Sequence, residues 1–124
     1  MPEERAHLFR FQDLEIWKKA VDIAMRLFDM AEELDKKRLF RFAEQLRAAG
    51  LSMSNNIAEG SGSFSKKEFS QFLNISRRST FENANMTIIY WRRGLISEKQ
   101  MHHLLTELDE LSRMISGFVK SLKS

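Results

Sequence analysis

Apolar residues recur at steps of three and four along nearly the whole chain, the spacing that puts them on one face of an α-helix. From Asp13, a residue suited to cap a helix, Leu14, Trp17, Val21, Ala24, Phe28 and Ala31 share one side, and Ile16, Ala20, Ile23 and Leu27 share a second. Leu39, Phe42, Ala43, Leu46, Ala49, Gly50, Met53 and Ile57 mark the next helix. In a third, Phe69, Phe72, Ser76, Ser79, Asn83, Thr87 and Tyr90 form the inward row; in a fourth, Met101, Leu104, Leu105, Leu108, Leu111, Ile115, Phe118 and Leu122 approach a heptad seam. Predicted bounds are about 13–34, 36–59, 65–93 and 98–122, after an N-terminal tail over 1–12 that holds the only proline, Pro2.

Punctuation agrees with these periods. Ser65-Lys66-Lys67-Glu68 and Ser97-Glu98-Lys99-Gln100 both have capping-box spacing. Gly60 suits the left-handed position just past a helix end and Gly94 stops the third helix. The links are short, which favours antiparallel neighbours, and no stretch alternates like a strand. The fold expected is therefore all-α, an up-down-up-down antiparallel four-helix bundle with one domain over 13–124.

The second and third helices are unusual. Ala48, Ala49, Gly50 and Ser52 are small where helices are commonly bulky, and the middle of the third helix's inward row is small and polar too. Glycine inside a helix costs about 1 kcal/mol against alanine, so Gly50 implies close packing. Beside the apolar face runs a polar stripe of Arg38, Arg41, Gln45, Ser52, Asn56 and Glu59. It fits a contact between helices or subunits, or a row touching a ligand. Glu59 opposes the helix dipole at a C-terminus, so a cationic partner is expected, from the third helix or a neighbouring subunit. The third helix also carries Ile75, Phe81, Met86, Ile88, Ile89 and Trp91 off its inward row. A helix apolar around most of its girth is buried on more than one side. Four helices cannot cover all of it, which predicts a homo-oligomer through the third helix and the first.

The 124 residues include no cysteine, which excludes disulfides and thiolate metal sites and suits a reducing cytoplasm. No leader opens the sequence, and the longest uncharged run, 48–58, is too short to span a membrane. The net charge of +3 is mild, but its distribution is not. Residues 13–35 hold three basic against seven acidic side chains, while 36–60 hold five against two and 65–94 six against two. That segregation predicts either a basic face or opposite charges matched between subunits.

Phe11-Gln12-Asp13-Leu14-Glu15-Ile16-Trp17-Lys18-Lys19-Ala20, then Gln45-Leu46-Arg47 with Ala49 and Ser52, then Asn56-Ile57-Ala58-Glu59-Gly60, and then Phe69, Leu73, Ser79 and Glu82 carry a family resemblance. Over about residues 9–95 the chain resembles the four-helix-bundle proteins encoded by intervening sequences of bacterial 23S rRNA genes. The resemblance implies a basic cytoplasmic bundle assembled as a ring-shaped homo-oligomer, most often a pentamer. Similar bundles act as accessory proteins to retroelement reverse transcriptases and are thought to bind nucleic acid. The motif positions Gln45, Arg47, Ser52, Asn56, Glu59, Gly60, Ser79 and Glu82 are read as structural. The chain departs from the family at Leu34-Asp35-Lys36-Lys37-Arg38, at Phe40-Arg41-Phe42 and at Arg78, changes that add positive charge.

Catalysis has little to work with. His103, Glu107 and Glu110 share a face, as a metal site or a solvated surface would, but the Glu-x-x-His spacing of di-metal bundles occurs only at Glu4 and His7, ahead of the bundle. The expectation is a non-enzyme needing no cofactor. Lys36, Lys37, Arg38, Arg41, Arg47, Arg77, Arg78, Arg92 and Arg93 are the candidate contacts to RNA or DNA. Phosphates need only arrayed cations, so binding is expected to be weakly sequence-specific and steeply salt-dependent. A protein-interaction scaffold is the alternative.

Overall fold

A computed structural model of the chain describes residues 7–123. It consists of α1 (Glu15–Lys36), α2 (Phe40–Ser61), α3 (Lys66–Arg92) and α4 (Glu98–Lys123), preceded by a 3-10 turn at Arg10–Asp13. No strand occurs among the described residues. Successive helices pack side by side as antiparallel neighbours, and α1 meets α4 less closely than successive helices meet one another.

The core is the set of residues whose period is 3.6 on all four helices at once. Ile23, Leu27 and Leu34 of α1, Leu46, Met53 and Ile57 of α2, Leu73 of α3, and Leu104, Leu108, Leu111 and Ile115 of α4 are buried almost completely. Of the two apolar sides expected on the first helix, the Ile16, Ala20, Ile23 and Leu27 side enters this core; on the other side Ala24 and Ala31 are buried as well, while Trp17 and Phe28 are half-buried.

The helix starts differ from the sequence expectation in two places. Asp13 does not cap α1. It closes the 3-10 turn, where its carboxylate meets His7 Nδ1 at 2.6 Å, and Leu14 takes the cap position without a side-chain bond. Residues 7–14 are thus a structured approach to the bundle, with Phe11 against Trp17 at 5.1 Å between ring centroids. The earlier part of the tail, residues 1–6 with Pro2 and Glu4, lies outside the described residues.

The second difference is that α1 continues through Lys36, and α2 begins at Phe40 instead of 36. Between them Arg38 adopts φ +64°, the one positive φ on a described non-glycine residue. The amide of Leu39 donates to Leu34 O and that of Arg38 to Asp35 O, both at 2.9 Å. This is the Schellman pattern, whose left-handed residue is usually glycine. The end of α3 repeats it with Gly94 at φ +77°, Leu95 donating to Tyr90 O and Gly94 to Trp91 O, again at 2.9 Å. Ser65 and Ser97 cap α3 and α4 as their spacing predicts, each accepting from the amide three residues on at 3.1 Å.

Gly60 is also corrected. It lies inside α2, one residue before the end, and its φ is not left-handed. Its reason is proximity: a Cβ there would stand 2.6 Å from Phe72 Cβ and 2.9 Å from Phe69 Cδ1. Gly50 has the packing reason expected of it, although the neighbour is α1, with Leu27 Cδ1 3.0 Å from where a Cβ would be.

Candidate functional site

The small residues of α2 and the small polar residues of α3 face one another across a single seam. With no bulky side chains between them the backbones come close enough for α3 side chains to reach main-chain oxygens of α2. Ser76 Oγ donates to Met53 O at 2.8 Å, Asn83 Nδ2 to Ala49 O at 2.8 Å, and Tyr90 OH to Phe42 O at 3.0 Å. Ser52 Oγ and Ser79 Oγ share a hydrogen bond of 2.8 Å. Ser76, Asn83 and Thr87 are essentially buried, and the bonds offset the cost of desolvating them. Burial raises the Tyr90 phenol above its ordinary pKa, so it stays protonated as donor. Asn83 Oδ1 is the exception, buried without a partner.

Outward of this seam the two helices part into a groove of about 530 Å³, walled by Gln45, Ala48 and Ser52 of α2 and by Glu82, Met86 and Ile89 of α3. Gln45 and Ser52, from the polar stripe read on the second helix, line this groove. Of the motif positions, Ser52, Ser79 and Asn56 belong to the seam, Asn56 Nδ2 donating to Ser52 O at 2.8 Å. Gln45, Glu59 and Glu82 are exposed and make no side-chain bond among the described residues. The cationic partner expected for Glu59 is absent within the described residues.

The nine candidate cations do not form one patch. Lys36 pairs with Glu33 at 3.1 Å, and Arg47 is drawn into an ion pair with Asp35 that raises its pKa through that hydrogen bond. Neither is available to a phosphate without breaking a contact. Lys37, Arg38 and Arg41 stand at the α1–α2 link, and Arg92 and Arg93 at the α3–α4 link; alternation of the helices puts both links at the same pole of the bundle. All five are exposed and without an acidic partner among the described residues. Arg77 and Arg78 lie apart, about 21 Å from Arg92 on the helical rise of α3. Arg77 rests over the Phe81 ring, 5.1 Å from its centroid.

A further charged cluster joins α1 to α4. Lys19 reaches Glu107 at 2.9 Å and Glu110 at 2.5 Å, and Arg26 reaches Glu107 at 2.7 Å. The hydrogen bonds from Arg26 and Lys19 hold the Glu107 carboxyl below its ordinary range. Burial acts to lower the Lys19 pKa, but its bonds to Glu110 and Glu107 leave it raised. On the face of His103, Glu107 and Glu110 both glutamates are engaged by cations of α1, and no group of three side chains placed to hold a metal ion occurs among the described residues. Here the first helix supplies the cations in spite of its acidic excess, and pairing from i to i+81 cannot be read from one sequence.

Fold and seam together define a compact four-helix bundle with a polar contact between its two central helices. The family model of the 23S rRNA-intervening sequence protein matches residues 12–117, and the chain belongs to that family. Among solved structures it is similar to a protein of unknown function from the S23 ribosomal protein family of Bacteroides thetaiotaomicron VPI-5482. The TM-score is 0.79 at 21% identity, covering 85% of this chain and 98% of that one. At that identity the likeness speaks to the fold. No curated protein matches the chain. No helix among the described residues is long and apolar enough to cross a membrane.

Proposed function

We propose that the chain is a non-catalytic, self-associating bundle of the cytoplasm that binds RNA or DNA by charge, with little sequence preference. One observation carries the reading. Lys37, Arg38, Arg41, Arg92 and Arg93 stand at one pole of the bundle, exposed and without an ion pair among the described residues. Among them Arg38 sits in a left-handed conformation that costs an L-residue about 1–2 kcal/mol, where glycine would be cheaper. Local strain of that kind is found where a side chain serves something other than the fold.

Support for self-association comes from the exposed apolar side chains of α3 at Ile75, Ile88 and Ile89, which α2 and α4 leave uncovered. The α2/α3 groove with Met86 and Ile89 offers one such contact. Copies arranged around an axis repeat the basic pole, so a modest patch gains by multivalency; a pentameric ring, as the family resemblance implies, would repeat it five times.

Fluorescence anisotropy with a labelled RNA and a labelled DNA duplex over a salt series tests the reading. Each phosphate contact steepens the dependence of log K on log salt by about 0.9 on a duplex and about 0.7 on a single strand. The double variant Arg92→Gln/Arg93→Gln should flatten it by roughly the sum of two contacts, equally for unrelated sequences. No binding at low salt, or binding indifferent to that variant, refutes the proposal. The groove also favours a second reading, a scaffold that holds a partner protein. Pull-down before and after nuclease treatment separates the two, since a partner bridged by RNA is released.

A further inference from the structure

The outward face of α3 has a feature that neither the core nor the seam uses. Phe81 is 57% exposed and is not part of the hydrophobic cluster. One face of its ring lies under the Arg77 guanidinium. Arg77 Nε is buried without an acceptor, and neither Arg77 nor Arg78 has an acidic partner among the described residues. Asp109, the acid lining the adjoining α3/α4 groove, is engaged by Arg113 at 3.1 Å. An open phenyl ring flanked by two unneutralised cations matches a nucleotide unit: a flat base to lie on the ring and a phosphate to meet the guanidinium.

Its position on the helix strengthens the match. Arg78, Asn85 and Arg92 are spaced seven apart and all exposed, so they lie along one strip of α3. The strip runs about 21 Å from Arg78 to the basic pole at Arg92, and Phe81 borders it. The isolated arginine pair and the polar cluster thereby become two ends of one track.

We infer that single-stranded nucleic acid runs along the outer face of α3, with phosphates at Arg78 and Arg92 and an unpaired base stacked on Phe81. A duplex cannot make the second contact, because its base faces are already covered by their neighbours. The inference rests on the nucleic-acid reading above and adds to it the strand state and the stacking residue.

The test compares a 12-nucleotide DNA strand with an abasic strand of equal length and charge, each titrated against the full-length protein by anisotropy. The base-bearing strand should bind about tenfold tighter, the worth of one stacked base. Phe81→Ala should abolish that difference while leaving abasic binding alone, and Phe81→Trp should restore it. Arg92→Gln/Arg93→Gln should weaken both strands in parallel. Sedimentation confirms that each variant keeps the wild-type assembly. In the wild-type protein, a strand carrying 4-thiouracil should photo-crosslink at or beside Phe81, as located by peptide mass spectrometry. Equal affinity for the two strands, or crosslinks confined to other helices, overturns the stacking inference while the charge-based reading stands. Failure of both strands to bind at low salt overturns both.

Discussion

Replacing Arg38 by glycine should stabilise the protein and weaken its grip on nucleic acid, two effects of opposite sign from one change. Arg38 holds φ +64° at the end of α1, and its side chain makes no hydrogen bond or ion pair among the described residues. The left-handed region costs a residue with a Cβ about 1–2 kcal/mol. Glycine removes that cost but gives the unfolded chain more freedom, returning about 0.4–1 kcal/mol. The Schellman bonds are main-chain and survive the exchange. The net gain is about 0.5–1 kcal/mol, which for a chain of this length is roughly 2–5 °C in Tm. Urea unfolding followed by circular dichroism, at one fixed protein concentration so that any assembly would contribute equally to both proteins, should show a higher midpoint with an unchanged slope. Gly94→Ala at the matching turn of α3, φ +77°, should move the midpoint the other way by about 1 kcal/mol. A destabilised or unchanged Arg38→Gly would refute the strain argument, and with it the reason for seeing more than a loop residue there. Unchanged nucleic-acid affinity would remove Arg38 from the binding pole without touching the strain.

Gly60→Ala should cost about 1–3 kcal/mol by chemical denaturation, since its Cβ would press on the Phe72 Cβ at 2.6 Å; Gly62→Ala, whose nearest neighbour is 3.4 Å away, should be nearly silent. Asn83→Ala removes the bonds to Ala49 O and Ser79 O, carbonyls that keep their helical amide donors, and so should cost about 0.5–1.5 kcal/mol. Glu107 is depressed in the folded state, so its contribution is present above the ordinary carboxylate pKa and disappears as pH falls through the lower folded value. Lys19 is raised, so its contribution is complete below the ordinary lysine range and fades as pH climbs through the higher folded value. Glu107→Gln should therefore lower Tm at neutral pH and converge with the wild type in acid, and a variant whose Tm falls as far as the wild type's between neutral and acid pH would contradict the assignment. Ile89→Glu, placing a charge on the uncovered flank of α3, should lower the mass seen by sedimentation equilibrium.

The helices and their inward faces could be read from the chain because each residue's burial follows from its neighbours three and four away. Ser65 and Ser97 were legible as caps for the same local reason. Asp13 misled because a cap needs the following residues to turn at once, and here Phe11 is held against Trp17 and Asp13 closes a 3-10 turn, so the cap falls one residue later. Gly60 looked like a terminator because glycine serves two ends, a left-handed turn and a close approach, and only the position of Phe72 tells which. At the candidate site, the array of basic residues was visible but its division was not. Lys36 and Arg47 are spent on Glu33 and Asp35, whereas Arg38, Arg41, Arg92 and Arg93 meet only because two links separated by more than fifty residues share a pole.

The seam between the central helices is fastened mainly to main-chain oxygens, at Phe42, Ala49 and Met53. A carbonyl is supplied by every amino acid, so α2 can exchange the side chains that look away from the seam without loosening it. Ala48 and Asn55 are in that sense at liberty to diverge. A scaffold fastened in this way can be given a new outer lining, and so a new companion, while its frame stays as it was.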